Sequence, residues 1–202
     1  MKVVIHTLGC KVNQYESDSI ALGLVKKGYE VSSELEKADV YIVNTCAVTN
    51  EAEKKSRQVL AKINKLNPDA EIYVCGCASQ KDAPKFLKNK NVTFVSGVAN
   101  KLKIIDQIDK KRRQQKIEVD TLPKEYNETY ISKPSKTRAY IKIQDGCNNF
   151  CSYCIIPYLR GRSRSRNVVE ILNEIEILQD TAKEIVLTGI DISDYKIDGK
   201  PA

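Results

Sequence analysis

The chain has 202 residues, 42% of them hydrophobic and 29% charged, a balance that supports one or two packed domains and excludes a disordered or fibrous polymer. No charged segment leads an apolar core at the start, and no run approaches the roughly 18 apolar residues that a membrane helix needs, so the reading is a cytoplasmic protein without a membrane partner. The net charge of +7 is concentrated in residues 133–166, where eight Lys or Arg face Asp145 alone; an anionic partner such as nucleic acid fits this, and solvated loop arginines are the plain alternative.

In chain order, short β-branched runs alternate with amphipathic stretches. "KVVIH", "ADVYIVN", "EIYVCG" and "VTFVSGV" read as strands, and "NQYESDSIALGLVKKG", "EAEKKSRQVLAKINKLN", "SQKDAPKFLKN" and "NKLKIIDQIDKKRRQQ" as the helices between them. Continuous apolar strands joined by helices predict an α/β domain over residues 1–116, an open parallel sheet covered on both faces. Residues 117–137 hold two prolines and neither period, and read as a linker. A second unit, 138–202, starts with the strand "RAYIKIQ", passes a cysteine loop and the run "YLRGRSRSR", and continues through the helix "NVVEILNEIEILQ" to the strand "EIVLTGIDI".

Seven cysteines, an odd number in a reducing compartment, suit metal, cluster or redox work better than disulfides. Cys10, Cys46 and Cys77 each follow a strand, and the carboxyl ends of parallel strands open on one sheet edge, so three thiols far apart in sequence can converge there. Small buried cysteines at strand ends are the competing reading. Cys75 lies inside a strand and is assigned to packing. Cys147, Cys151 and Cys154 stand as C-x3-C-x2-C. Structural zinc wants a fourth ligand, and the only histidine is His6 at the far end of the chain. A redox pair would leave the third thiol unexplained. A 4Fe-4S cluster fits better, because three thiolates leave one iron free for an external chelator. Arg160, Arg162, Arg164 and Arg166 alternate with Gly and Ser and suit RNA phosphate contacts. The run Lys110 to Arg113 fits a helix end or such a contact equally well, and Asn13 reads either as a helix cap or as a ligand for substrate. No phosphate-binding glycine loop is present.

The segment "CNNFCSYC" resembles the radical S-adenosylmethionine motif. Together with "TLGCKVNQYES", "ADVYIVNTCAVTNEAEKKSRQ", "VCGCASQ" and "RAYIKIQDGCNNFCSYCIIPYLRGRSRSR" it resembles the methylthiotransferases, and the "LGCKVN" start is most similar to the branch acting on threonylcarbamoyladenosine in tRNA. The resemblance implies two 4Fe-4S clusters, an auxiliary one on Cys10, Cys46 and Cys77 and a cofactor-cleaving one on Cys147, Cys151 and Cys154. It implies contacts from Tyr153, Thr188, Gly189 and Ile190 to S-adenosylmethionine, a tRNA substrate, and an electron donor such as a flavodoxin or ferredoxin. The implied reaction adds a methylthio group to C2 of N6-threonylcarbamoyladenosine at position 37, through a 5'-deoxyadenosyl radical, since that C2–H is neither acidic nor open to polar catalysis. The alternatives are methylthiolation of isopentenyladenosine in tRNA or of a ribosomal protein, and a zinc or iron-sulfur RNA-binding module. Family members carry a longer βα barrel and an RNA-binding domain, so the chain is expected to be an incomplete fragment holding the first two barrel strands, inactive alone. Cys75 departs from the family, which more often has a small or hydroxyl residue there.

Overall fold

A computed structural model of the chain describes residues 1–99, 101–110, 114–126, 137–197 and 199–201. In the first domain, β1 (Lys2–Thr7) leads into α1 (Lys11–Lys26), β2 (Glu30–Ser32), β3 (Val40–Thr45), α2 (Asn50–Leu66), β4 (Glu71–Gly76), the short helices α3 (Cys77–Lys81) and α4 (Pro84–Leu87), β5 (Val92–Ser96), α5 (Lys103–Ile108) and β6 (Lys116–Glu118). All six strands are parallel, in the order β2-β1-β3-β4-β5-β6. The order runs outward in both directions from the β1–β3 pair, which makes that pair the topological switch point where open α/β sheets form a crevice.

Side-chain alternation along the central strands explains why both faces are covered. Tyr41, Val43, Ile72 and Val74 pack on one face with Val59, Leu60 and Ile63 of α2, while Val40, Ile42, Tyr73 and Cys75 pack on the other with Ile20 and Leu24 of α1 and Ile104 and Ile108 of α5. α2 starts on a Thr49 cap whose side chain accepts from the Ala52 amide at 3.1 Å, with Glu51 and Glu53 in the first turn. Pro84 divides the stretch expected to be one helix into α3 and α4.

Two expectations change. β2 and β6 are edge strands of three residues each, too short to show a period, and the sequence reading contains neither. Because β6 pairs with β5, and Val119 and Leu122 pack against the first core, the expected 117–137 linker begins inside the first domain. The second unit follows with β7 (Arg138–Lys142), β8 (Gln144–Asp145), α6 (Ile156–Arg160), β9 (Arg164–Ser165), α7 (Val168–Leu178) and β10 (Glu184–Thr188), then a 3-10 turn (Ile192–Asp194) and the short hairpin β11 (Lys196–Ile197) and β12 (Lys200–Pro201). β7 and β10 pair in parallel with α7 as their crossover, enclosing Ala139, Ile141, Ile171 and Leu178.

Candidate active-site cavity at the first cysteine trio

The switch point holds the first cysteine trio. Cys10 caps the start of α1 just beyond β1, Cys46 directly follows β3, and Cys77 is the first residue of α3 after β4. All three line one cavity of about 480 Å³. Local backbone chemistry places them. The Thr45 hydroxyl donates to the Cys75 carbonyl at 2.7 Å and accepts from the Ser79 amide at 3.3 Å, fixing the ends of β3 and β4 to each other. Gly9 has φ +101°, and a Cβ there would lie 2.7 Å from Cys46 Cβ; Gly76 has φ +108°, and its Cβ would meet the Thr45 carbonyl at 2.3 Å. Both turns therefore need glycine beside a thiol. Burial pushes the Cys46 thiol up, and the neighbouring Cys77 and Cys10 push it further.

The opposite wall comes from the second unit: Ile156 and Arg160 of α6, and Thr188, Gly189 and Ile190 at the end of β10. Gln144 holds that wall. Its Oε1 accepts from the Ile190 and Asp191 amides at 2.9 and 2.8 Å, and its Nε2 donates to the Gly146 carbonyl at 2.7 Å, at the threshold of the cysteine loop. Asp191 reaches the loop itself, accepting from Asn149 Nδ2 at 2.7 Å and lying 3.6 Å from Cys147 Sγ. Within the loop Phe150 adopts φ +46°, an unusual value for a non-glycine residue, held by an edge-on contact with Tyr158 and by Arg162 stacked 4.2 Å from its ring. Cys147 and Cys154 are half-buried and Cys151 is exposed. Tyr153 stands between the last two and is 90% exposed.

Both trios offer only soft thiol donors, the ligand type of iron-sulfur clusters, and the first lines a cavity with space between its members. Among the described residues no three His, Cys, Asp or Glu side chains are gathered around a single ion position. Cys75 faces the opposite core from Cys77, as its assignment to packing requires, and burial pushes its thiol up to about 12. Alkylation of the metal-free chain with iodoacetamide should therefore modify the exposed Cys10 and Cys151 first and Cys75 only in denaturant, as read by peptide mass spectrometry.

The arginine run does not lie where the sequence places it. Arg160 is 0% exposed, Arg166 3% and Arg164 7%, so these three are not free for RNA phosphates, and only Arg162 is exposed. They face buried acids instead. Glu16 of α1 accepts from Arg160 Nη1 at 3.0 Å and from Lys142 Nζ at 3.0 Å, and also from Lys101. Asp145 pairs with Lys142 at 2.8 Å, Arg160 at 3.1 Å and Arg164 at 3.5 Å. Arg164 further donates to the Arg160 and Arg162 carbonyls at 2.9 and 2.7 Å. Arg166 pairs with Glu174, which accepts at 3.1 Å from Tyr15 of α1. Burial pushes the Glu16 carboxyl up, but Arg160, Lys101 and Lys142 outweigh it and hold the group well below the ordinary carboxylate range. Burial likewise raises Asp145, and Lys142 and Arg160 with Arg164 bring it down.

Asn13 is neither an exposed cap nor free. Its Nδ2 donates to the Leu8 and Thr45 carbonyls at 2.8 and 3.1 Å, while its Oδ1 accepts from Arg160 Nη2 at 2.8 Å, so it ties the loops carrying Cys10 and Cys46 to α6. Lys111 to Arg113 lie outside the described residues. The sequence reading contained no role for Glu16, Lys101, Gln144 or Asp191. A signal existed for Glu16: the apolar stripe Leu24–Ile20, continued backwards at helical spacing, falls on Glu16 and Asn13.

Residues 2–97 match the family described as "Uncharacterized protein family UPF0004", and residues 141–199 match the "Radical SAM superfamily". The chain is 42% identical over 204 residues to the threonylcarbamoyladenosine tRNA methylthiotransferase MtaB of Bacillus subtilis, covering 98% of this chain and 45% of that protein. It is 36% identical to the protein of the same name from Aquifex aeolicus, covering 96% of this chain and 49% of that one. It is also 36% identical to the tRNA-2-methylthio-N(6)-dimethylallyladenosine synthase of Thermodesulfovibrio yellowstonii, covering 96% and 46%. The chain thus spans about half the length of the curated relatives it matches. The two domain matches fall on the two units of the fold, so the chain carries a UPF0004 region followed by a radical SAM region, and proteins named as tRNA methylthiotransferases align along nearly all of its residues.

Proposed function

We propose that this chain is part of a tRNA methylthiotransferase that modifies C2 of N6-threonylcarbamoyladenosine at position 37, with two 4Fe-4S clusters and S-adenosylmethionine. The observation that carries the reading is the shared cavity: Cys10, Cys46 and Cys77 stand across it from Thr188, Gly189 and Ile190. Cys10, Cys46 and Cys77 would hold the auxiliary cluster, Cys147, Cys151 and Cys154 the second, and Thr188 to Ile190 with Tyr153 would meet S-adenosylmethionine. When bound, these groups supply one-electron chemistry and the sulfur and methyl group to be transferred.

The chain's own residues orient and shield. Gln144 fixes the backbone of Ile190 and Asp191 relative to the cysteine loop, and Asn13 and Arg160 fix the distance between the two walls. Val12, Val48, Ile156 and Ile190 give the cavity apolar sides that limit water. Val169, Leu172 and Ile177 of α7 and Leu187 of β10 are exposed, a surface that suits coverage by further barrel units. The threonylcarbamoyl substrate rests on the "LGCKVN" start and on the names of the first relatives. Cytoplasmic location and a flavodoxin or ferredoxin as electron donor belong to the same proposal; among the described residues no helix is long and apolar enough to cross a membrane.

The test is mass analysis of tRNA nucleosides after reaction with the longer protein. Conversion of N6-threonylcarbamoyladenosine to its methylthio form is expected, with no conversion by these 202 residues alone. Modification of dimethylallyladenosine instead would overturn the substrate, and turnover by the isolated chain would overturn the fragment reading. Arg162 is the one member of the run left to meet RNA, so Arg162→Gln in the longer protein should reduce the salt slope of tRNA binding by about 0.7, one phosphate's worth. A slope reduced by the value for several contacts would show that the buried arginines reach RNA after all.

A further inference from the structure

Arg160 carries more charge and more donors toward the cysteine cavity than its role as an ion-pair partner uses. Its guanidinium is 0% exposed. Nη1 donates to Glu16 at 3.0 Å and Asp145 at 3.1 Å, and Nη2 donates to Asn13 at 2.8 Å and Glu16 at 3.3 Å. Among the described residues Nε–H has no hydrogen-bond partner, although its side chain lines the cavity with the three thiols. A buried, unused donor on a charged group is costly, and native proteins rarely leave one without a reason.

The local charge balance points the same way. Leaving Lys142 aside, among the described residues Lys101, Arg160 and Arg164 face Glu16 and Asp145 in a region all but closed to water, so positive charge is in excess there, where burial makes it most costly. The neighbouring groups that can supply the missing negative charge are Cys77 and Cys46, which line the same cavity as Arg160. Thiolates carrying an iron-sulfur cluster with sulfur bound to it are anionic and accept hydrogen bonds, and hydrogen bonds and nearby charge set a cluster's reduction potential.

We propose that Arg160 is a positioning residue for the auxiliary site: its Nε–H and fixed charge face the anionic sulfur assembly held by Cys10, Cys46 and Cys77 and stabilise its reduced form. The proposal rests on the reading that these cysteines hold a cluster. It differs from a mere docking role for Arg160, which would make the residue equivalent to other buried interface pairs. Glu174 supplies that comparison, since it accepts from Tyr15 across the same boundary, pairs with Arg166 on its own side, and does not line the cavity.

The experiment is an anaerobic potentiometric titration, followed by electron paramagnetic resonance, of the reconstituted chain with Cys147, Cys151 and Cys154 changed to Ala, so that one cluster remains. Arg160→Gln should shift its midpoint to more negative potential, whereas Glu174→Gln should destabilise the fold and leave the midpoint unchanged. If Arg160→Gln does not hold the cluster, Arg160→Lys carries the test: it keeps the charge, loses the Nε–H, and should shift the midpoint in the same direction by less. An unchanged midpoint in a cluster-bearing Arg160 variant, or equal shifts in the Arg160 and Glu174 variants, would overturn the proposal. Absence of iron from the parent would appear in the metal count before any titration, and would overturn the cluster reading and this proposal together.

Discussion

Glu16→Ala should lower the stability of the chain by about 3–5 kcal/mol, because it strips the carboxylate from three cations that have no route to water. Arg160, Lys101 and Lys142 all meet Glu16, and all four groups are at most 1% exposed. For a protein of this size the loss corresponds to a fall of about 6–20 °C in melting temperature, measurable by circular dichroism on the metal-free chain. Glu51→Ala on the exposed side of α2 should stay within about 0.5 kcal/mol. A Glu16 variant that melts like the parent would mean that the network is not formed in solution. The same pairs fix the acid response. Glu16 and Asp145 both titrate below their ordinary values in the folded protein, so their stabilisation is complete above the unfolded carboxylate range near about pH 4 and drains as pH falls toward the folded values. The contribution of these two carboxylates should therefore be level from about pH 7 to 5 and fall steeply below about 4. Asp145→Asn should flatten that limb.

The sheet was legible in the chain because its central strands are β-branched over their whole length and the helices between them keep a helical period. The switch-point location of the first trio was also legible, since Cys10, Cys46 and Cys77 each end a strand and parallel strands end on one edge. The arginines were misread for a physical reason. Alternation of charge with Gly and Ser describes an exposed strand when no partner is visible, and the partners Glu16 and Glu174 lie 144 and 8 residues away from Arg160 and Arg166. Formal charge along a sequence carries no information about such pairing. Gln144 was invisible for a related reason: a single amide among apolar strand residues gains its meaning only when β10 returns beside β7 and brings Ile190 and Asp191 to its carbonyl oxygen.

The second large effect concerns the two thiol sets. They sit on different units, one at the switch point of the first sheet and one in the loop after β8, so each should bind and lose its cluster independently. Loss of Cys10, Cys46 and Cys77 leaves the second loop's supports intact, since Asp191, Gln144 and the Phe150 stack belong to the other unit. Loss of Cys147, Cys151 and Cys154 leaves the Thr45 and Asn13 contacts that shape the first site. The most direct measurement is the iron and sulfide content of the anaerobically reconstituted chain and its two triple Cys→Ala variants, with zinc counted alongside. Each triple variant should retain half of the parent's iron and sulfide, and the combined variant should retain none. Zinc in place of iron, or a triple variant that keeps all the parent's iron, would contradict the assignment of two clusters to these six cysteines.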